Sequence, residues 1–207
     1  MANVRAHVSM SLDGYIAGPN DGPELPMGAG GERLHEWVFD LESWRKPHGL
    51  EGGKTGLDAD VLAETNTNVG AVVLGKRMFQ NADGWGETPP FHTPVFVLTH
   101  EAREPLEKDG GTTFTFVTDG VDRALAQAKA AAGGKDVSVA GGANVIQQFL
   151  RAGLLDELQI HLVPILLGGG VRLFEQLDAD QVALERVRVI DSPTVTHLKY
   201  RPVQKQT

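Results

Sequence analysis

The chain lacks cysteine entirely, so disulfide bonds, thiolate catalysis and cysteine-based metal sites are excluded. Its 7 histidines are scattered along the sequence rather than grouped at metal-ligand spacing, so we expect no catalytic metal. Basic residues are also few, because 19 Lys and Arg stand against 27 Asp and Glu, for a net charge of −8. Without a basic tract the chain cannot neutralise a row of phosphates, so we expect neither nucleic acid nor an anionic membrane as a partner.

Long apolar runs are also missing. The longest strongly apolar run, residues 162–167, contains Pro164 and is far too short to span a bilayer. Residues 1–12 alternate between apolar and polar side chains, unlike the continuous apolar stretch of a signal peptide, so a cytoplasmic location is the default expectation. Hydrophobic residues make up 41% of the chain, and no linker or repeat divides it. We therefore predict a single domain over residues 1–207.

Segments with the pattern of strands alternate with segments that have the pattern of helices. Strands are predicted at 4–12, 70–75, 94–99, 113–117, 136–140 and 157–167, with a closing pair at 182–190 and 195–202. Helical spacing is found in 34–41, from Asp58, in 121–132 and after 142, and Asp119 is expected to cap the third of these helices. The pattern predicts an α/β fold with a mixed, mostly parallel sheet, helices on both faces and a C-terminal antiparallel hairpin.

The most informative segment is residues 137–146, in which a buried strand passes through Gly141 and Gly142 into a helix. Two glycines let a ligand approach the backbone closely, and the first N–H groups of the helix then point towards it, which suits a pyrophosphate. The segment does not match the G-x-G-x-x-G dinucleotide pattern. An ordinary tight turn is the alternative interpretation.

Two adjacent cations, Lys76 and Arg77, follow another buried strand at Gly75. Ligands of open α/β sheets collect at the carboxyl ends of strands, which is where these side chains are predicted to lie. The guanidinium fork of Arg77 suits the 2′-phosphate that distinguishes NADPH from NADH. A solvated pair at the start of a helix is the alternative.

Other residues are candidates for a substrate site. Residues 9–18 run from a strand through Asp13 into a glycine-bearing loop, which could form one wall of a cleft and, through residues 18–31, a mobile cover. Trp85 and Phe91 lie on a loop and could hold a flat heterocycle or merely anchor that loop. His161 lies in the middle of a predicted strand, where it is either structural or a proton donor.

Taken in order, four segments resemble the reductase domain of bifunctional riboflavin-biosynthesis deaminase/reductases and, more distantly, dihydrofolate reductase. They are residues 11–18 (SLDGYIAG), 74–79 (LGKRMF), 140–146 (AGGANVI) and 155–170 (LDELQIHLVPILLGGG). The deaminase zinc motif requires cysteine, so only a stand-alone reductase domain is indicated. The resemblance implies a three-layer dihydrofolate-reductase-like fold, a homodimer, and NADPH lying across the carboxyl edge of the sheet.

The resemblance also implies roles for individual residues, in three groups. Those matching the adenosine and 2′-phosphate end are Gly75, Lys76, Arg77, Leu98, Thr99 and His100. Those matching the pyrophosphate turn and helix start are Ala140, Gly141, Gly142, Ala143, Asn144, Val145 and Ile146. Those matching the nicotinamide wall are Ser9, Met10, Ile16 and Ala17, and Ser9 is also expected at the substrate together with Trp85 and Phe91.

The expected activity is hydride transfer from NADPH to a C=N or similar electrophilic carbon, with orientation and water exclusion supplied by the protein. The leading substrate is 5-amino-6-(5-phosphoribosylamino)uracil, and water, His161 or Asp13 would supply the proton. One alternative is a dihydrofolate or pterin reductase, for which Glu36 and Asp40 are positional candidates for a pterin-binding carboxylate, although both are readily interpreted as surface charges. The other is a non-catalytic protein that binds a nucleotide or pterin.

Overall fold

The computed structural model describes residues 2–175, 177 and 182–204. The strands in this part of the chain are β1 (Val4–Ser11), β2 (Tyr15–Ala17), β3 (Val69–Gly75), β4 (Val95–Leu98), β5 (Leu106–Glu107), β6 (Thr113–Val117), β7 (Asp136–Gly141), β8 (Glu157–Val163), β9 (Val171–Arg172), β10 (Val182–Asp191) and β11 (Thr196–Gln204). The α-helices are α1 (Glu36–Phe39), α2 (Glu42–Arg45), α3 (Leu57–Asn66), α4 (Lys76–Asn81), α5 (Gly120–Ala131) and α6 (Ala143–Arg151).

Nine of these strands form one twisted sheet in the order β10-β11-β8-β1-β7-β3-β4-β6-β5. The six central strands, from β8 to β6, run parallel to their neighbours, whereas β11, β10 and β5 pair antiparallel at the edges. β2 and β9 form a separate two-stranded sheet. The predicted mixed, mostly parallel sheet with a C-terminal hairpin is therefore confirmed. No helix in the described ranges is both long and apolar enough to cross a membrane.

Strand alternation divides the side chains between two faces of the sheet. On the first face, Val4 and Ala6 of β1 join Val137 and Val139 of β7 in a large core that α5 and α6 cover. The second face carries two smaller apolar clusters. The cluster under α1 and α3 contains Leu34, Trp37, Val38, Leu41, Ala59, Leu62, Val163 and Val195, and the cluster under α4 contains Val72, Leu74, Phe79, Val95, Val97 and Phe114.

Three local predictions differ from the structure. The apolar spacing in 34–41 does not form one helix, because the backbone around Leu41 leaves the helix to pair with Lys54. Strand β8 ends at Val163 rather than continuing to residue 167, since Pro164 cannot donate a ladder hydrogen bond. Asp119 precedes α5 but makes no capping hydrogen bond with its side chain, so that prediction is wrong.

Candidate active site

A valley separates the two clusters on the second face, and we use this word for the gap between them. Its floor is formed by β1 and β7, where three small polar residues on this face, Ser9, Ser11 and Ser138, are all buried. The ion pair between Arg5 and Asp136, with 3.1 Å between Nη2 and Oδ2, confirms that these alternating positions of the two strands share a face. Small side chains at these positions let a ligand approach the sheet more closely than large ones would.

The starts of α4 and α6 meet at the carboxyl end of the strands, which we call the mouth of the valley. They meet there because they follow the neighbouring strands β3 and β7. A Cβ atom added to Gly75 would lie 3.0 Å from Cγ2 of Val145 and 4.0 Å from the backbone nitrogen of Gly142. One added to Gly141 would lie 3.9 Å from Sδ of Met78. The peptide bond between Gly141 and Gly142 is cis. The two glycine-bearing segments that the sequence singled out are therefore adjacent in space.

The start of α6 offers backbone donors rather than side chains. Ala143, Val145 and Ile146 have buried side chains, and the amides of Val145 and Ile146 donate to the carbonyl oxygen of Gly142 at 3.0 and 3.3 Å. Oδ1 of Asn144 already accepts a hydrogen bond from Gln148. Within the described part of the chain no side chain caps this helix, and a Cβ on Gly142 would meet nothing within 4 Å. At this helix start the amides of Ala143 and Asn144 therefore remain as donors for an anion.

The two cations at the start of α4 are both engaged with carboxylates. Nζ of Lys76 donates to Oε1 of Glu101, and Nη2 of Arg77 donates to Oδ1 of Asp21 in the loop before α1. Asp21 also accepts a hydrogen bond of 2.9 Å from Nδ2 of Asn81, and its side chain is only 9% exposed whereas that of Arg77 is 68% exposed. An anionic ligand at Arg77 would therefore compete with Asp21.

The ends of β4 and β6 complete this side of the mouth. Leu98 is half-buried, Thr99 is buried with its hydroxyl accepting the amide hydrogen of Glu101, and His100 is exposed. The guanidinium of Arg103 lies 4.6 Å from the ring centre of Phe116. Sequence reasoning missed this cation, and the signal would have been its place just after a strand that ends at the same edge of the sheet.

The other side of the mouth contains the residues expected at the nicotinamide wall. Met10 and Ile16 are half-buried against the first-face core, and Ser9 is buried on the second face. β9 packs tightly behind Ala17, because a Cβ on Gly170 would lie 2.1 Å from the carbonyl oxygen of that residue. The segments at both sides of the mouth are thus adjacent to the floor of the valley.

The loop of residues 18–31 is closed on itself by backbone hydrogen bonds. Gly18 donates to Met27, and Ala29 donates to Pro19. Its contacts with α4 are those of Asp21 with Arg77 and Asn81 and that of the Pro26 carbonyl oxygen with Asn81. The loop also packs against the segment before β9, because a Cβ on Gly170 would lie 2.6 Å from the carbonyl carbon of Gly18, so it is held at the mouth from two sides.

Asp13 has a different role from the proton donor that we expected. Its carboxylate accepts backbone hydrogen bonds from Leu167 at 3.2 Å and Gly168 at 2.7 Å. A hydrogen bond from Ser11, followed by these backbone bonds, lowers the pKa of Asp13 to about 2. The group is therefore ionised at neutral pH and ties the end of β1 to the chain after β8, so we do not retain it as a proton donor.

Of the two aromatic residues expected at the substrate, only one lines a cleft. Trp85 and Phe91 pack against each other at 4.8 Å between ring centres, and both contact Phe114 in the cluster under α4. Trp85 also lines a cleft of about 540 Å³, whereas Phe91 is not among its lining residues. The other residues that line this cleft are Trp44, Pro47, His48, Thr88, Pro90 and His92.

A buried group of histidines lies along the wall of the valley under α1. His161 on β8 is 2% exposed, and its Nδ1 lies 2.7 Å from Nδ1 of His197 on β11. Nε2 of His197 lies 2.9 Å from Oδ1 of Asp58 on α3. Trp37 covers both imidazoles, at 4.9 and 5.3 Å between ring centres, and its Nε1–H donates to the hydroxyl of Ser9. Within the described ranges, no set of three or more His, Asp or Glu side chains is arranged to hold a metal.

The surroundings of this group favour neutral imidazoles. Burial lowers the pKa of His161 well below its ordinary value, helped by the neighbouring histidines. Burial, together with the charges of Arg5 and His35, lowers the pKa of His7 on β1 to about 4. Burial also lowers the pKa of His35. The sequence-based reasoning considered His161 but missed His197 and Asp58.

These low pKa values predict that the protein loses stability in mild acid. The unfolded chain takes up protons at His7, His35 and His161 near pH 6.5, whereas the lowered pKa values of these three residues delay their protonation in the folded chain. The free energy of unfolding therefore falls as the pH falls below about 6.5. His7 alone accounts for up to about 3 kcal/mol of this loss by about pH 4, since its pKa is lowered to about 4. Denaturant titrations of the wild type and of His7→Gln across this pH range measure the effect. The variant should show the shallower slope, and equal slopes would contradict the assignment.

A family model and a curated relative match most of the chain. A family model described as the RibD C-terminal domain matches residues 2–198. The "Uncharacterized protein YwjB" of Bacillus subtilis (strain 168) is 33% identical over 171 residues, which cover 83% of this chain and 82% of that protein.

Solved structures show the fold. A crystal structure named "Putative riboflavin biosynthesis protein" from Shewanella sp. PV-4 has a TM-score of 0.69 at 23% identity and covers 99% of this chain and 100% of that one. Dihydrofolate reductase from Enterococcus faecalis, complexed with NADP(H) and RAB-propyl, has a TM-score of 0.56 at 16% identity over 97% of this chain and 96% of that one. The dihydrofolate-reductase-like fold that the sequence predicted is thereby confirmed.

Proposed function

The chain belongs to the RibD C-terminal domain family, and from this premise we propose that it reduces a small heterocyclic substrate with NADPH. The leading substrate is 5-amino-6-(5-phosphoribosylamino)uracil or a close relative. The names of two structural neighbours support this proposal, since one is assigned to riboflavin biosynthesis and the other is a reductase complexed with NADP(H).

The observation that carries the proposal is the meeting of two helix starts at the mouth of the valley. The amides of Ala143 and Asn144 are the donors left at the start of α6, and Gly75 lies so close to this helix start that a side chain there would touch Val145. This arrangement fits a dinucleotide, because glycine permits close approach and a helix start favours phosphate. Arg77 and Lys76 stand one strand away, where the 2′-phosphate would lie.

The residues would divide the work as follows. The amides of Ala143 and Asn144 would hold the pyrophosphate, Arg77 would bind the 2′-phosphate, and Met10 with Ile16 and Ala17 would support the nicotinamide. When bound, NADPH supplies a hydride to the substrate carbon. The chain contributes orientation and a water-poor valley, because its floor is buried and its walls are apolar. His161 is the group that we propose as the proton donor.

The direct test is a pair of measurements on the purified protein. NADPH is first titrated by calorimetry, and its oxidation is then followed with the ribosylamino-pyrimidine and with dihydrofolate as separate substrates. Binding with oxidation by the pyrimidine supports the proposal, and oxidation by dihydrofolate alone would replace it with the pterin alternative. Binding without turnover of either substrate would favour a non-catalytic binder, and absence of binding would refute the proposal.

We expect Asp21→Asn to strengthen NADPH binding about 2- to 5-fold, because it removes the carboxylate that competes for Arg77. NADH has no 2′-phosphate, so its affinity should stay the same. Calorimetric titration of both cofactors measures the ratio. Weaker NADPH binding in this variant would instead mean that Asp21 orients Arg77 for the ligand.

A further inference from the structure

Nothing in the expected chemistry explains why His197 and Asp58 are joined to His161 inside the protein. The three side chains come from β8, β11 and α3, and they make a continuous chain of two short contacts. His197 is 3% exposed and His161 is 2% exposed, so both imidazoles are buried rather than exposed at the surface. Oδ2 of Asp58 also accepts a hydrogen bond of 2.9 Å from the hydroxyl of Thr194, which fixes the carboxylate.

The contacts decide which ring nitrogens carry hydrogen. An ionised Asp58 can only accept, so Nε2 of His197 must donate to it. A neutral His197 then has a bare Nδ1, which must accept from Nδ1–H of His161. The remaining nitrogen of His161, Nε2, is bare in this neutral form. It is buried and has no hydrogen-bond partner among the residues that the structure describes.

A buried nitrogen without a partner costs free energy unless a ligand or water satisfies it. Its position connects it with the proposed site, since His161 pairs in register with Ser9 across β1 and β8. Ser9 belongs to the floor of the valley and accepts a hydrogen bond from Trp37, the ring that covers His161. His161 and Ser9 therefore lie side by side on the same face of β8 and β1, so the open end of the chain of contacts is one strand away from Ser9 of the floor.

We propose that Asp58, His197 and His161 form a proton relay whose terminal atom is Nε2 of His161. This inference rests on the proposed reductase function and adds two positioning residues to it. In the loaded form Nε2 of His161 carries a proton, its Nδ1 proton has moved to Nδ1 of His197, and the resulting imidazolium faces the carboxylate of Asp58. The positive charge is thus held next to its counter-charge, not on the more deeply enclosed His161.

The reduction step balances with this relay. The C=N bond of the substrate loses its π pair to nitrogen as the carbon receives a hydride from the dihydronicotinamide, which leaves NADP⁺. Nε2 of His161 gives its proton to that nitrogen, and the Nδ1 proton returns from His197 to His161. The relay is then neutral again and reloads with one proton from water.

Other titratable groups facing the relay do not stabilise the loaded form. His7 on β1 has its ring centre 6.1 Å from that of His161, and His35 lies just before α1. Arg5 acts on His7 from the same strand. His7 and His35 are neutral at neutral pH, so neither offers a counter-charge, and Arg5 would oppose a positive charge on His161. The carboxylate of Asp58 is therefore the counter-charge that makes the loaded form accessible.

The first test is ¹⁵N NMR of the histidine rings in the full-length protein without ligands. At neutral pH we expect hydrogen on Nδ1 of His161 and on Nε2 of His197. In Asp58→Asn the pair should take up its proton at a pH lower by about 1 unit or more, because the counter-charge is gone. Asp191→Asn, which removes an exposed carboxylate from the same hairpin, should cause no shift. Hydrogen on Nε2 of neutral His161, or no shift in Asp58→Asn, would overturn the relay.

The second test separates a relay from a structural network. His197→Gln keeps both contacts, since the amide oxygen can accept from His161 and the amide nitrogen can donate to Asp58, but it cannot hold a proton. We expect unchanged thermal stability, unchanged NADPH affinity and a turnover number lower by about 100-fold. Normal turnover in this variant would refute the relay alone. Failure of the wild type to bind NADPH would refute the proposed function. The NMR measurement would still report the hydrogen positions on His161 and His197, because it needs no cofactor.

Discussion

Replacing Arg77 with alanine should weaken NADPH binding about 10- to 100-fold and leave NADH binding almost unchanged. The loss corresponds to removing charge-assisted hydrogen bonds to a phosphate, worth about 1.5–3 kcal/mol. NADH lacks the 2′-phosphate that Arg77 is proposed to bind, so the two cofactors serve as each other's reference. Calorimetric titration of both with wild type and variant measures the effect.

The matched control for this variant is Arg186→Ala, which removes an exposed arginine from β10, on the hairpin at the edge of the sheet. It changes the net charge by the same amount and should leave both affinities as they were. Equal weakening of NADPH and NADH binding by Arg77→Ala would show that the guanidinium does not bind the 2′-phosphate. The adenosine end would then have to be assigned elsewhere, with Arg103 as the next candidate.

Ala143→Pro should weaken NADPH and NADH equally, by about 10- to 100-fold each. Ala143 is the first residue of α6, where proline fits the helix but has no N–H to donate. The preceding Gly142 has a ψ of −165°, an extended conformation that proline accepts. The substitution therefore deletes one proposed pyrophosphate donor, and both cofactors contain the pyrophosphate.

Ala143→Gly is the control for the proline variant, because it alters the same side chain and keeps the amide hydrogen. It should bind both cofactors with nearly the wild-type affinity. Thermal denaturation of both variants checks that the buried site tolerates them. If the folded proline variant bound NADPH as tightly as the wild type, the amide of residue 143 would not contact the ligand.

Much of the fold was accessible from the sequence because the relevant signals are local. Alternation in residues 4–11 and apolar runs such as 69–75 report how each strand is buried, and the pair Gly141–Gly142 marks a strand-to-helix junction directly. The apolar spacing in 34–41 wrongly predicted one continuous helix. The residues expected to be buried are buried, but the backbone is interrupted where Leu41 pairs with Lys54. That partner lies in a glycine-rich segment with no periodic signal.

The arrangement of charges was not accessible in the same way. Arg77 meets Asp21 across 56 positions of sequence, and His197 meets Asp58 across 139 positions. Scattered histidines and an ordinary loop aspartate contain no local pattern that predicts such pairs. Only the fold brings β8, β11 and α3 together, so the relay and the competitor for Arg77 emerge from tertiary structure alone.

Hydrogen exchange at single-amide resolution, with and without saturating NADPH, examines the core of this account without any substrate. Slower exchange at residues 142–145 and at 75–77, with the hairpin amides of β10 and β11 unaffected, is the outcome we expect. If the cofactor bound while those two helix starts exchanged as fast as before, the nucleotide would have to sit somewhere else on the molecule.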